Sequence, residues 1–531
     1  MARLEASILS PESIQANTPE ANTFPLRLVA EDIPSVQGNL ERFQVSEIEV
    51  LGSTVFTSEE LDAVVAPFEN RLLTEEELSD ITGAVTELYV EGGYINSQAV
   101  IPEQAVDPDN GVIRIQVIEG GIEDIQVEGS SRLAEYLKSR LAPVATRPLN
   151  LIVLEDKLRV LQLDPLFDKV QANLKEGSSV GNSILVVTVE EANPISFRLA
   201  LDTLSPPSVG QFRTGATFQY LNFAGIGDQF QASAYRSTTG GSHIYDLSYQ
   251  VPLNPQDGTL LLRFAPSSFR ITDPTEPLFQ LGLQGSTNIY EVAFRQPLIR
   301  TTREELAFSL GFRHRNGSTL IGGLITPPTV TSVISFGQDY LSRDPNGAWS
   351  LRSEFRVGTG LFDATSNPAP LPDGQFFSWN GQAQRVQVLN SNNFLVIQGN
   401  IQLTPDSLLG SEQFFIGGAQ SVRGYYQNGR FGDNGFRFSM ENRISLQRDE
   451  GGNTIFQASP FIDLGYVWAS NPNFQVADQN FLLGTGLGLT LVPTPNLDAR
   501  IDFGVPLITL DEFPSDRPSG LRIYFDVNYK F

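Results

Sequence analysis

From Ile195 to the last residue, apolar and polar positions alternate in short runs separated by clusters of Gly, Pro, Asn and Asp. The final run, 521–531, puts Leu521, Ile523, Phe525, Val527, Tyr529 and Phe531 on one face. Arg522, Tyr524, Asp526, Asn528 and Lys530 fall on the other. Strand side chains alternate with period two, so this run has one apolar wall and one charged wall. It is about as long as a tilted strand that crosses a bilayer. The run 436–446 behaves alike: Phe436, Phe438, Met440, Ile444 and Leu446 share one parity, and Arg437, Glu441 and Arg443 share the other. In 497–503, Asp498, Arg500 and Asp502 separate cleanly from Leu497, Ala499, Ile501 and Phe503. A Lys or Arg facing lipid at mid-bilayer costs about 2–4 kcal/mol, so the charged parity must face a wet interior. Asn442 breaks the pattern and is placed near a rim. About sixteen such runs occur, an even number as expected of a closed transmembrane barrel.

Loop lengths support the barrel. Connections after even-numbered runs are short, as at 224–228, 254–258, 342–347 and 492–496. Several after odd-numbered runs are long: 271–286, 316–329, 361–374, 418–434 and 508–519. Tight turns at one end and long loops at the other are the outer-membrane pattern. A soluble propeller or sandwich would supply many strands, but not this asymmetry.

The first 192 residues have a different period. Residues 1–40 carry Pro11, Pro19, Pro25 and Pro34 among polar residues, which predicts an extended linker. A weak helical pattern near Leu4–Ile14 is interrupted by Pro11. Phe43 to Gly52 then alternates as a strand. Thr57 with Glu60 and Thr74 with Glu77 form capping boxes. Leu78, Ile81, Val85, Leu88 and Tyr89 make one helical face that stops at Gly92-Gly93. Strands follow at Ile95–Ile101 and Val112–Ile118, giving β-α-α-β-β. The unit repeats: Ile125, Val127 and Gly129 echo Ile48, Val50 and Gly52. Helices at Leu133–Leu141 and Val153–Leu161 and strands at Val170–Leu174 and Ile184–Val189 complete it. Two small α+β modules, 41–121 and 122–192, thus precede an all-β transmembrane barrel at 193–531 of about sixteen antiparallel strands.

Composition removes most chemistry. Lys+Arg is 36 against Asp+Glu 61, a formal charge of −25, so a basic nucleic-acid footprint is missing. There is no cysteine and histidine is 2, so thiolate metal sites and cysteine nucleophiles are excluded and His-based catalysis nearly so. His243 and His314 lie beside loops without a Ser or Asp at a recognisable spacing. No catalytic residue, metal or cofactor is assigned. No apolar run is long enough for a membrane helix. The first residues have no apolar signal core, which is read as a mature form with an added start.

Two motifs remain. The long loop 418–434 holds Val422-Arg423-Gly424-Tyr425, and the second run after it places Phe461, Asp463 and Gly465 on its polar face. Read alone, V-R-G-Y is a solvent-exposed arginine at a hairpin tip. With F-x-D-x-G downstream, two modules upstream and a terminal Phe, the chain resembles the two-partner secretion transporters. These belong to the superfamily of outer-membrane barrels with polypeptide-transport-associated (POTRA) repeats.

The resemblance implies that loop 418–434 folds into the lumen and that Arg423 meets Asp463. Gly424 would permit a close turn, Phe461 would pack beside the loop, and Gly465 would leave it room. A loop in a wet pore has little apolar surface to hold it, so a charge-assisted pair would fix it. Pro460 lacks an amide donor and faces lipid, which predicts a bulge. Phe531 is expected to be the signal read by the barrel assembly machinery. The resemblance further implies periplasmic modules and a monomeric pore in the lipid bilayer. The partner would be a secreted β-helical exoprotein of adhesin or cytolysin type. Strand addition at Ile95, Val100 and Ile101 or at Phe167, Val170 and Leu174 would capture it. An assembly machine that inserts other barrels, and a plain diffusion porin, are the competing functions.

Overall fold

A computed structural model describes residues 42–104, 111–474, 479–510 and 520–531. The expected linker 1–40, its weak helix at 4–14 and most of the expected loop 508–519 lie outside these residues. The described chain forms an α+β unit up to Ala192 and a barrel unit from Asn193.

The first module runs β1 (Arg42–Leu51), α1 (Ser58–Val65), β2 (Arg71–Thr74), α2 (Glu75–Glu91), β3 (Gln98–Val100) and β4 (Gly111–Ile118). Its sheet has the order β2-β1-β4-β3, with β1 and β4 parallel. The unpredicted β2 makes the module β-α-β-α-β-β. Four residues between two capping boxes are too short to show a strand period, and β2 forms by pairing with β1. Both helices start on complete boxes: the Thr57 and Thr74 side chains accept from the amides of Glu60 and Glu77, whose carboxylates accept in return. These backbone bonds, the largest cause in each case, hold both glutamates below the usual value of 4.5. Leu61, Val65, Ile81, Val85 and Tyr89 bury the helical faces against Val45, Ile48, Ile113 and Ile115 of the sheet. The Tyr89 hydroxyl reaches Ser53 Oγ at 2.6 Å and Glu119 at 3.1 Å, and burial pushes its pKa up to about 12.

The second module is β5 (Gly121–Glu128), α3 (Ala134–Leu141), α4 (Leu151–Gln162), β6 (Phe167–Glu176) and β7 (Asn182–Glu191), with sheet order β5-β7-β6. Gly52 and Gly129, the repeated glycines, end β1 and β5 with φ of +87° and +91°. The modules are stitched where α2 ends: Leu151 N donates to Gly93 O (2.9 Å) and Asn150 Nδ2 to Gly92 O (3.2 Å). Asn150 also caps α4.

The barrel unit contains β8 (Ile195–Asp202), β9 (Arg213–Leu221), β10 (Gln229–Ser237), β11 (Ser242–Pro252), β12 (Thr259–Arg270), β13 (Gln284–Arg300), β14 (Glu304–Ile321) and β15 (Leu324–Ile325). It continues with β16 (Thr329–Asp344), β17 (Gly347–Thr359), β18 (Phe377–Asn390), β19 (Asn393–Leu403), β20 (Phe414–Ile416) and β21 (Arg430–Gly432). The last strands are β22 (Asn434–Arg448), β23 (Thr454–Trp468), β24 (Phe481–Thr494), β25 (Leu497–Pro506) and β26 (Arg522–Lys530). Sixteen antiparallel strands close the barrel; β15 is a two-residue extension on β14, and β20 and β21 pair only with each other. Closure joins β26 to β8, from Asp526↔Asp202 to Lys530↔Arg198. The outward parity is apolar and exposed, as at Leu262, Val292, Leu310, Leu351, Leu487, Ile501 and Ile523. The inward parity carries ion pairs such as Arg263 with Asp246 (2.6 Å) and Glu291 (3.1 Å). No described helix is long and apolar enough to cross a membrane; this barrel crosses with strands.

Several expectations differ from the structure. No bulge occurs at Pro460: the ladder holds one register from Glu441↔Phe461 to Ile444↔Ala458, and the irregularity lies between Ser445 and Gln447. Proline removes a donor without adding a residue, so pairing lapses locally and resumes in step. Asn442 is mid-strand, opposite Leu395, not at a rim. That same register sets it against Pro460, and its Oδ1 is buried without a partner. His314 is inside β14, bonding Ser332 Oγ at 3.0 Å, because β13 and β14 run on into the expected loops 271–286 and 316–329. The strand expected at Ile95–Ile101 is only Gln98–Val100.

Candidate functional site

The connection from β19 to β22 turns back into the barrel. Its hairpin, β20 with β21, and the loop between them contribute Ile416, Val422 and Tyr425 to an apolar cluster with Val467 and Leu482 of the inner wall and with Leu510. The loop therefore has an apolar anchor, contrary to the expectation that charge alone would hold it. The strand parity missed this because Val467 and Leu482 are apolar residues among lumen positions.

Beyond the anchor, Arg423 enters a set of carboxylates. Its Nε donates to Asp463 Oδ2 at 2.7 Å and its Nη2 to Asp463 Oδ1 at 2.9 Å, a two-pronged contact. The Arg423 amide adds a third bond to Asp463 at 3.1 Å. Nη1 reaches Glu441 at 2.8 Å and Asp502 at 3.3 Å. The guanidinium lies over the Phe461 ring, 3.3 Å from its centroid. Arg443 and Arg500 complete the cluster: Arg443 Nε bonds Glu441 at 2.6 Å, and Arg500 bonds Glu441 at 2.8 Å and Asp502 at 2.7 Å. Three arginines thus face three acids. The cluster draws on β22, β23 and β25, so it ties the loop tip to one sector of the wall.

The backbone of the tip needs glycine on both sides. Gly424 has φ +104°. A Cβ on Gly484 would lie 1.8 Å from Arg423 O, whereas one on Gly465 would lie 3.1 Å from a Val422 methyl. Gly484 is thus the closest support of the loop, and Gly465 a looser one. Tyr524 of β26 accepts from the Gly424 amide at 2.9 Å and donates to Tyr425 O at 2.6 Å. The Tyr425 hydroxyl bonds Leu483 O at 2.9 Å and Ile508 O at 2.8 Å.

A second attachment lies in the β14–β17 sector. Glu412, whose side chain is 2% exposed, pairs with Arg313 (3.3 Å) and Arg356 and accepts from Thr331 Oγ1 at 3.0 Å. Arg315 Nη1 donates to Ser411 O at 3.1 Å. The loop is therefore pinned to two wall sectors. Sequence reasoning missed Glu412, Gly484 and Tyr524. Glu412 has no motif around it; the alternate glycines Gly484, Gly486 and Gly488 on a polar parity were the one available signal for a close backbone approach.

Val422, Arg423, Gly424, Tyr425, Phe461, Asp463 and Gly465 thus meet at one place. The six candidate partner-binding residues do not. Val100 lies in edge strand β3, but Ile95 and Ile101 lie outside it. Phe167, Val170 and Leu174 belong to edge strand β6, yet Phe167 and Val170 point into the module core. What these edges offer is backbone. Phe531 is 62% exposed; its amide donates to Phe197 O at 2.8 Å and its ring lies 4.7 Å from Tyr529.

A sixteen-strand barrel with an arginine-bearing lumen loop and preceding α+β modules defines an outer-membrane transporter with POTRA domains in the periplasm. Residues 181–491 match the haemolysin secretion/activation protein family ShlB/FhaC/HecB, and residues 43–120 match the ShlB-type POTRA domain. The chain belongs to that family. It is 25% identical to the outer membrane transporter CdiB of Escherichia coli, over 92% of this chain and 82% of the relative. It is 23% identical to the hemolysin transporter protein ShlB of Serratia marcescens, over 81% and 77%. It is 21% identical to the heme/hemopexin transporter protein HuxB of Haemophilus influenzae, over 88% and 84%. The solved structure of E. coli CdiB superposes with a TM-score of 0.75 at 23% identity, covering 100% of this chain and 97% of that one. Haemophilus ducreyi BamA lacking POTRA domains 1–3 shares the fold at a TM-score of 0.55 and 16% identity, over 92% and 100%.

Proposed function

We propose that the chain is a translocation pore for one secreted partner. The POTRA modules capture the unfolded exoprotein by adding its strand to an exposed edge, β3 or β6, where backbone pairing tolerates many sequences. The partner then threads the charged lumen after the Arg423 loop shifts, and its folding outside supplies direction. In this reading Arg423 and Asp463 are the lock, Phe461, Gly465 and Gly484 seat it, and Phe531 is the assembly signal. The partner is a large β-helical adhesin or cytolysin, and the cytolysin reading accords with the hemolysin in the name of the ShlB relative. The observation that carries the reading is a wet lumen occupied by a loop tied to two wall sectors, which must be released for a chain to pass.

The discriminating experiment is depletion of the protein in its native cell. Loss of one large exoprotein from the medium supports a dedicated transporter. General loss of outer-membrane barrels would instead establish an insertase, the reading that the likeness to BamA keeps in view.

A further inference from the structure

On the outer wall, above the lipid-facing band, two arginines stand apart from the rest. The ladder register puts Arg236 opposite His243, His243 opposite Ser268, Ser268 opposite Ser286 and Ser286 opposite Ser318. Directly opposed residues share a face, so these five form one row across β10–β14. The same parity carries exposed Leu247, Leu262 and Leu310 further down, so the row faces outward. Arg270 ends β12 on this face too. The row sits at the long-loop end, which is extracellular because the first barrel strand starts from the periplasmic modules.

The charge balance here is unlike that of the lumen. Arg263, seven residues before Arg270 on the same strand but facing inward, is held by two carboxylates. Among the described residues, Arg236 and Arg270 have no acidic partner within ion-pair distance. Their guanidiniums converge: a point one Cβ from Gly240 lies 3.1 Å from Arg236 Nη2 and 3.7 Å from Arg270 Nη2. Together with His243, Ser268, Gln284 and Ser286 they line a cleft of about 490 Å³. His243 Nε2 is buried there without a protein partner. Four residues lower on β13, Tyr290 stacks with Phe264 (5.0 Å) and His314 (6.3 Å) in an aromatic girdle. The step from girdle to cleft is roughly 10 Å along tilted strands, which reaches the polar headgroup layer.

We propose that this cleft docks the phosphate-bearing headgroup of an outer-leaflet glycolipid. Two forked guanidiniums match phosphate oxygens, the serine hydroxyls and Gln284 suit sugar hydroxyls, and the girdle below packs the acyl chains. The inference is independent of what passes through the pore.

The test is native mass spectrometry of the full chain released from nanodiscs of lipopolysaccharide or of phosphatidylcholine. The variants are R236E/R270E and the milder R236Q/R270Q, with heat-modifiable gel mobility as the check on barrel folding. Loss of two charge-assisted contacts predicts about a tenfold fall in retained lipopolysaccharide for each folded variant. Phosphatidylcholine retention stays as in the wild type, and millimolar inorganic phosphate does not displace the glycolipid. Wild-type retention in folded R236Q/R270Q would overturn the proposal. Displacement by inorganic phosphate would also overturn it, assigning the cleft to the free anion.

Discussion

Replacing Arg423 with alanine removes one of three positive charges from a cluster that holds Asp463, Glu441 and Asp502. The Arg423 side chain is 7% exposed and Asp463 is fully buried, so the three carboxylates would face only Arg443 and Arg500. Breaking a buried pair by removing one partner costs about 3–5 kcal/mol, against about 0–1 kcal/mol for an exposed pair. Water in the lumen favours the lower end of that range. About 3 kcal/mol shifts the balance between seated and released loop by about a hundredfold. The apolar cluster around Val422 and Tyr425 and the Tyr524 bonds remain, so the loop stays folded while its hold on the β22–β25 sector weakens. We expect Arg423→Ala to give a folded, heat-modifiable barrel with more frequent large-conductance openings in planar bilayers and reduced export of its partner. Arg423→Lys keeps the charge but loses the two-pronged contact, and should fall between. Wild-type conductance together with unimpaired export in Arg423→Ala would refute the gating role.

The second attachment makes its own prediction: Glu412→Gln leaves Arg313 and Arg356 without their acid, and should raise opening frequency in bilayers without disturbing the Arg423 cluster. Combined with Arg423→Ala its effect should exceed either alone, since the two anchors sit on different wall sectors; an unchanged single variant would show that Glu412 bears no load. Gly484→Ala places a methyl where Arg423 O now lies and should unseat the tip, whereas Gly465→Ala should have a smaller effect; equal conductance phenotypes would contradict the close approach. For the isolated first POTRA module, Tyr89 holds its proton more tightly when folded than when unfolded. Its contribution is therefore complete below pH 10 and is lost as pH rises towards about 12. Alkaline denaturation followed by circular dichroism should show a shallower decline for Tyr89→Phe. At the acid end, the capped Glu60 and Glu77 add stability above their usual value of 4.5 that fades as pH falls below it.

What could be read along the chain and what could not divides by the range of the physics. Alternation with period two determined the barrel, its wet interior and the outward face of Ile501 and Ile523, because the cost of a charge in lipid acts on each residue separately. Capping boxes and helical spacing determined α1, α2 and α4 for the same reason: their signals lie within a few residues. Strand β2 escaped, since four residues carry no period and only pairing with β1 makes them a strand. The Pro460 expectation failed because a missing donor does not reveal whether the partner strand stays in step. Motif resemblance brought Arg423 to Asp463, but Glu441 and Asp502 joined that cluster only when β22, β23 and β25 came side by side. Glu412 and Tyr524 were invisible for a related reason, their partners being 56 and 100 residues away, and Gly484 showed only a glycine alternation without naming Arg423, 61 residues away, as what it admits. Local preference tells each residue which face to take; only closure of the barrel decides which residues on that face meet.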